Sequence, residues 1–226
     1  MGLLSFIFGS KKNEQSEIRA QLKARINGRS MSVDDLGFLG MYSTSPDGRW
    51  TIGWSDSFEK PDGGKRGGRR ESGNGKYVLC FESIVAAHGE LERPNSPSVA
   101  NNGSFSIEDW KFGSNLDGRF YVFDKSGKEL ISRDFQANII SSSISENGQL
   151  AICQTAGAYD GDDGNKLTGF DVTQRLELFS INPEGGRAKN YTFDEKTKRV
   201  GVILKDIGTF FYTTEGALED PEGLRS

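Results

Sequence analysis

Three times, and in weakened form a fourth, this chain repeats one local design: a polar turn followed by a strand with large apolar residues at alternate positions. The copies are Ser45-Pro46-Asp47-Gly48-Arg49-Trp50-Thr51-Ile52-Gly53-Trp54, Ala100-Asn101-Asn102-Gly103-Ser104-Phe105-Ser106-Ile107, Ser145-Glu146-Asn147-Gly148-Gln149-Leu150-Ala151-Ile152 and Asp194-Glu195-Lys196-Thr197-Lys198-Arg199-Val200-Gly201-Val202. Glycines 48, 103 and 148 stand 55 and 45 residues apart, and Lys198 holds the glycine's place 50 residues further on. Asp-Gly and Asn-Gly supply the positive φ that a tight turn requires. A lysine reaches that conformation only at a cost, so the fourth turn is expected to differ. In the strands, Trp50, Ile52 and Trp54 share one face, as do Phe105 and Ile107, Leu150 and Ile152, and Val200 and Val202.

A second strand follows each copy, at Tyr77–Phe81, Phe120–Phe123, Leu176–Ile181 and Thr209–Tyr212. Third strands follow at Lys128–Ile131 and Lys189–Phe193, and Gly37–Tyr42 reads as the strand that opens the first unit. The 29 glycines and 15 phenylalanines among 226 residues fit many short strands and turns better than long helices. Repeats of this length cannot bury their apolar faces singly, so neighbours must stack. The expected fold is all-β: a small propeller-like array of about four antiparallel blades over residues 36–218. A segment over 1–30, with a short helix, precedes it. In that segment Ile18, Leu22 and Ile26 are spaced by four, which predicts a helix over 14–27 with Ser16 and Gly28 at its ends.

Ser45-Pro46-Asp47-Gly48-Arg49-Trp50 resembles the strand-turn-strand motif of WD-repeat-like bacterial β-propellers. Phe120-Tyr121-Val122-Phe123-Asp124-Lys125-Ser126-Gly127-Lys128-Glu129-Leu130 resembles the outer hairpin of the same blades. The Trp-Asp and Gly-His pairs of eukaryotic WD repeats are absent, and such propellers usually have more blades. A closed four-bladed ring, an open arc, a β-sandwich and an unrelated meander all satisfy the pattern. The resemblance implies a platform for partners and names no chemistry, since propellers host binding modules and enzymes alike.

Two insertions are the candidate binding features. Residues 57–76 carry Lys60, Lys65, Arg66, Arg69, Arg70 and Lys76 among many glycines, on a protein of net charge −4. Such a loop is expected to be mobile and to attract an acidic protein, a phosphate or single-stranded nucleic acid. Trp54, Asp56, Glu108, Asp109 and Trp110 fall at corresponding strand ends and are expected to line one mouth. Exposed tryptophan beside charge suits partner recognition. The partner-binding candidates are therefore Lys65, Arg66, Arg69, Arg70, Trp54, Glu108 and Trp110. Residues 156–171 contain Asp160, Asp162, Asp163 and Asp171, but Gly164 occupies a ligand position of the calcium-loop pattern and no Glu follows in register.

Catalytic motifs are missing. The sole histidine is His88, and no nucleophile elbow, phosphate loop or dinucleotide fingerprint occurs. No metal or cofactor is expected. The leading reading is a non-enzymatic accessory or regulatory subunit of a bacterial protein assembly. Its rivals are a sensor for a small anion, nucleotide or single-stranded nucleic acid and a carboxylate-based hydrolase. Cys80 and Cys153 sit in apolar runs and are expected to be free and buried, which fits a cytoplasmic location. Leu3, Leu4, Phe6, Ile7 and Phe8, followed by Lys11 and Lys12, give residues 1–12 the makings of a weak contact with the inner membrane or of a segment that tucks into a protein groove.

Overall fold

A computed structural model describes residues 21–60, 63–158 and 161–219. The N-terminal apolar segment, and with it the membrane contact expected of residues 1–12, lies outside them. In the first sheet run β1 (Arg25–Asn27), β2 (Ser30–Val33), β3 (Phe38–Thr44) and β4 (Trp50–Ser55). A two-strand hairpin, β5 (Phe58–Glu59) and β6 (Lys65–Arg66), interrupts it before β7 (Gly75–Phe81) and β8 (Ile84–Leu91). The second sheet comprises β9 (Pro94–Val99), β10 (Phe105–Asp109), β11 (Gly118–Phe123) and β12 (Glu129–Phe135). The third comprises β13 (Ile139–Ile144), β14 (Leu150–Thr155), β15 (Leu167–Asp171) and β16 (Leu176–Ile181). The fourth comprises β17 (Asn190–Asp194), β18 (Arg199–Leu204), β19 (Gly208–Tyr212) and β20 (Leu218–Glu219). Every pairing in these four sheets is antiparallel, and strands meet in chain order.

Period-2 alternation explains the stacking. In β10, Phe105 and Ile107 face the first sheet and join Trp50, Ile52, Tyr77 and Leu79. In β11, Phe120 and Val122 face the other way, onto Ile139, Ala151 and Cys153 of the third sheet. Ile152 and Leu167 then meet Tyr191, Val200 and Val202 of the fourth. Strand β14 is buried at all six positions because a sheet covers each of its faces.

Among the described residues no apolar cluster joins the fourth sheet to the first. A fourth cluster lies within the first sheet, where Met31, Val33, Phe38, Val78 and Cys80 pack together with Leu22, Ala24 and Val85. The Ala24 amide donates to the Ser83 carbonyl and the Val85 amide to the Leu22 carbonyl. Residues 22–24 thus bind the free edge of β8 while β1 binds β2, and the first sheet closes on itself. The helix predicted over 14–27 is therefore wrong from residue 21 onward. Pairing with two strands outweighs a narrow apolar stripe that has little to bury against. At the other end, the outward face of the fourth sheet carries Arg199, which pairs with Asp194 and Glu219 and lies over the Phe211 ring. Among the described residues, three inter-sheet cores join the four sheets in chain order.

The repeated turns do more than reverse the chain. Asn101 accepts from the Asp47 amide, and its own amide groups donate to the Glu146 carbonyl and carboxylate. Asn102 donates to the Asn147 carbonyl, and Asn147 donates to Glu195 from both its backbone and its side chain. Four consecutive turns are thereby laced along one rim. A Cβ at Gly103 would strike the Trp50 ring, and one at Gly148 would strike the Asn102 amide. In the fourth turn Lys198 does adopt positive φ, and its ammonium reaches back 2.6 Å to Asp171 of the third sheet. An ion pair replaces the close contact that glycine allows.

Cys80 and Cys153 are free and fully buried, as expected. Leu176–Ile181 is the outer strand of the third sheet rather than its second. The strand that follows and pairs with β14 is β15, inside the aspartate-containing insertion of residues 156–171.

Removing one rung should loosen one seam. Glu195→Ala is expected to cost about 1 kcal/mol in urea unfolding, the ordinary worth of such bonds. Amide exchange should accelerate in the fourth sheet and stay unchanged in the second. Uniform acceleration would show that the turns do not hold the sheets pairwise.

Candidate interaction rim

Opposite the laced turns, the connections that leave β4, β8 and β10 converge. Asp56 follows β4, Glu92 and Arg93 form the link from β8 to β9, and Trp110 to Asp117 link β10 to β11. At their centre is Arg70, whose side chain is 2% exposed. Its Nη1 donates to Asp56 Oδ1 at 2.7 Å and to the Gly68 carbonyl at 2.8 Å. Its Nε donates to the Gly73 carbonyl at 2.7 Å and its Nη2 to the Glu92 carbonyl at 2.8 Å. The guanidinium also lies over the rings of Phe58 and Phe112. Arginine's planar fork can serve all these acceptors together.

The described residues between 57 and 74 are consequently tied, through Arg70, to Asp56, Glu92 and Phe112, where sequence reasoning expects a free solvated loop. Arg70 is spent inside the protein and is not a surface cation. Arg66 and Arg69 remain exposed. Lys65 lies in β6 opposite Glu59.

Asp56 is shared. Arg93 Nη2 reaches its Oδ2 at 3.3 Å, the Gly68 amide reaches the same oxygen at 3.2 Å, and the Arg93 guanidinium lies over Trp110. Two guanidiniums therefore meet one carboxylate. Arg93 Nε is buried with no acceptor. Neighbouring acids are committed elsewhere: Glu92 accepts from the Phe112 amide, and Asp109 from the amides of Glu92, Arg93 and Lys111. Burial raises the Asp109 pKa.

Glu108 is not part of an open mouth. It is 1% exposed, between the second and third sheets, and accepts from Ser142 Oγ at 2.9 Å and Trp110 Nε1 at 3.2 Å. Burial pushes its carboxyl up to about 7. Trp110 is thus held by Glu108 on one side and Arg93 on the other. Trp54 is half-buried, opposite Met41 of β3. Leu39 and Met41 stand on the same face of β3 and are 53% and 56% exposed. With Trp54, Asp56, Gly67, Gly68 and Asn95 they border a groove of about 300 Å³.

The structure thus brings Trp54, Asp56, Arg70 and Trp110 to one rim, together with the exposed Arg66 and Arg69, and withdraws Glu108 and Arg70 from its surface. Leu39, Met41 and Arg93 escape sequence reasoning. The one available signal is Gly40 between Leu39 and Met41, where a Cβ would strike the Trp54 carbonyl.

The described aspartates of residues 156–171 do not gather. Asp160 lies outside the described residues, Asp163 bonds Arg133 and the Gln136 amide, and Asp171 pairs with Lys198. No group of three potential metal ligands occurs among the described residues. Nor is any helix among them long and apolar enough to cross a membrane.

No family model and no curated protein matches this chain. Among solved structures, a chain of the "Crystal Structure of Mitotic Checkpoint Complex" is similar, with a TM-score of 0.50 at 11% sequence identity. The likeness covers 96% of this chain and 73% of that one. The shared feature is the fold alone, a propeller-like array of antiparallel sheets.

Two outcomes follow from the rim's chemistry. Glu108 ordinarily titrates at 4.5 and in the fold at about 7, so the native state holds its proton more tightly. The stability this contributes is complete below 4.5 and is lost as pH rises through 7. Glu108→Gln should therefore match the parent at pH 4 and exceed it by about 3 kcal/mol at pH 8 in urea unfolding. An unchanged slope between these pH values would assign the titration to another group. Separately, Arg70→Met should destabilise by about 3 kcal/mol, because it strands buried acceptors. Exposed Arg66→Ser and Arg69→Ser should change stability by less than about 0.5 kcal/mol.

Proposed function

We propose that this chain is a non-enzymatic interaction module, an accessory or regulatory subunit of a bacterial, cytoplasmic protein assembly. The partner docks on the rim of the first two sheets. The observation that carries this reading is the exposure of Leu39 and Met41, side by side next to Trp54, on strands paired at both edges. Such apolar side chains on a rigid frame have no folding role that demands their exposure, and patches of this kind mark contact surfaces. Tryptophan and methionine are enriched where proteins meet.

Hydrolysis finds less support. Glu108 and Asp109 point to opposite faces of β10, and each is occupied by donors of its own chain. Neither borders the groove. The similar chain of known structure belongs to a multiprotein complex, which agrees with a platform role.

Met41→Asp should leave the unfolding midpoint nearly unchanged, since the residue is exposed. A photo-crosslinking side chain at position 39 should capture a protein partner in the native cell, and capture should disappear when Met41→Asp is added. Retention of the same partner in the double variant would place the contact elsewhere.

A further inference from the structure

The rim has an electrostatic bias as well as an apolar strip, and together they define the partner more narrowly. Arg70 and Arg93 converge on Asp56 alone. Of the neighbouring acids, Glu92 and Asp109 are taken up by backbone amides, which leaves Glu71 against the two exposed arginines, Arg66 and Arg69. Beyond Gly67 and Gly68, which border the apolar groove, Arg66 and Arg69 stand exposed around a second cavity that also includes Phe58 and Glu71. Apolar contacts thus run directly into a cationic surface on a protein whose net charge is −4.

We propose that this groove binds a short peptide segment of a partner protein, one that sets a bulky apolar residue beside an aspartate or glutamate. The apolar side chain lies against Leu39, Met41 and Trp54, and the carboxylate meets the guanidinium of Arg66 or Arg69. The inference rests on the rim being an interaction surface. Charge selects the occupant. The chain's own apolar N-terminal run is followed by Lys11 and Lys12, which would face Arg66 and Arg69. A second copy docked face to face on this patch would set Arg66 and Arg69 against the same arginines of its partner. Nucleic acid would satisfy the arginines but not the aliphatic strip. A carboxylate suits an arginine because two parallel N–H groups match its two oxygens. A rim charge of this kind also steers encounter and excludes basic competitors.

The test is selection of a displayed random-peptide library on the full chain, followed by affinity measurements with synthetic copies of the enriched peptides. The expected result is enrichment of sequences that pair a bulky apolar residue with Asp or Glu. Their affinity should fall at least about tenfold with Leu39→Asp and again with the double change Arg66→Glu, Arg69→Glu. Circular dichroism should show both variants folded. Added salt should weaken binding to the parent and barely affect binding to the double arginine variant. Apolar peptides without acidic bias, lost with Leu39→Asp and indifferent to the arginines, would overturn this proposal and leave the interaction surface standing. Acidic peptides or a labelled single-stranded oligonucleotide held equally well by Leu39→Asp would overturn it in favour of a simple anion site. No enrichment would remove both readings.

Discussion

The lacing of successive turns is the constraint on which the remaining architecture depends. Each sheet carries apolar residues that are buried only against a neighbouring sheet, so the neighbour must sit at a matching height. The bonds from Asp47 through Asn101, Glu146, Asn102 and Asn147 to Glu195 fix that height at one rim. Glycine at the turn apex serves both ends of this requirement. Its positive φ closes the turn, and its missing side chain lets Trp50 or Asn102 of the preceding turn approach. Where Lys198 stands instead, Asp171 supplies the link, and bonds from Lys198 and Thr173 overcome the effect of burial to hold that carboxyl at about 2.

At the opposite rim the organising group is a single buried guanidinium. Arg70 gathers the ends of three segments that differ in length and composition, so the repeat can be interrupted there without loosening the strands beneath. This arrangement separates two roles that arginine plays in one short stretch of sequence. One residue builds the platform, and Arg66 and Arg69 are left on its surface. The buried cluster also turns Trp110 into a bridge between Glu108 and Arg93, which ties the rim to the seam between the second and third sheets.

Local chemistry accounts for what is legible in the sequence. The turn glycines and the alternating residues of β4, β10, β14 and β18 are written in adjacent positions and can be read there. Strand β9 is concealed by Pro94 and Pro97, residues that argue against a strand. They are tolerated because β9 lies at a sheet edge and lacks a neighbour on one side. Strand β15, Leu167-Thr168-Gly169-Phe170-Asp171, is short, follows an acidic stretch, and gains its burial only from the sheets on either side. The course of residues 22–24 is non-local, since they pair with the start of β8, whereas β1 and β2 form a local hairpin across Gly28 and Arg29. At the rim, tryptophans and charge point to the correct region, but nothing in a run of glycines and arginines distinguishes Arg70 from Arg69. That difference comes from Asp56 and Glu92, which are distant in sequence.

The turn ladder gives the array a direction. Among the described residues the fourth sheet shares an apolar core with the third, while the first is in addition held by its own hairpin and by residues 22–24. Each rung couples one turn to the next, so a disturbance at one turn is passed along a single rim before it reaches the strands. Neighbouring sheets are therefore indexed from one side, and the connections on the other side are free to differ in length and charge.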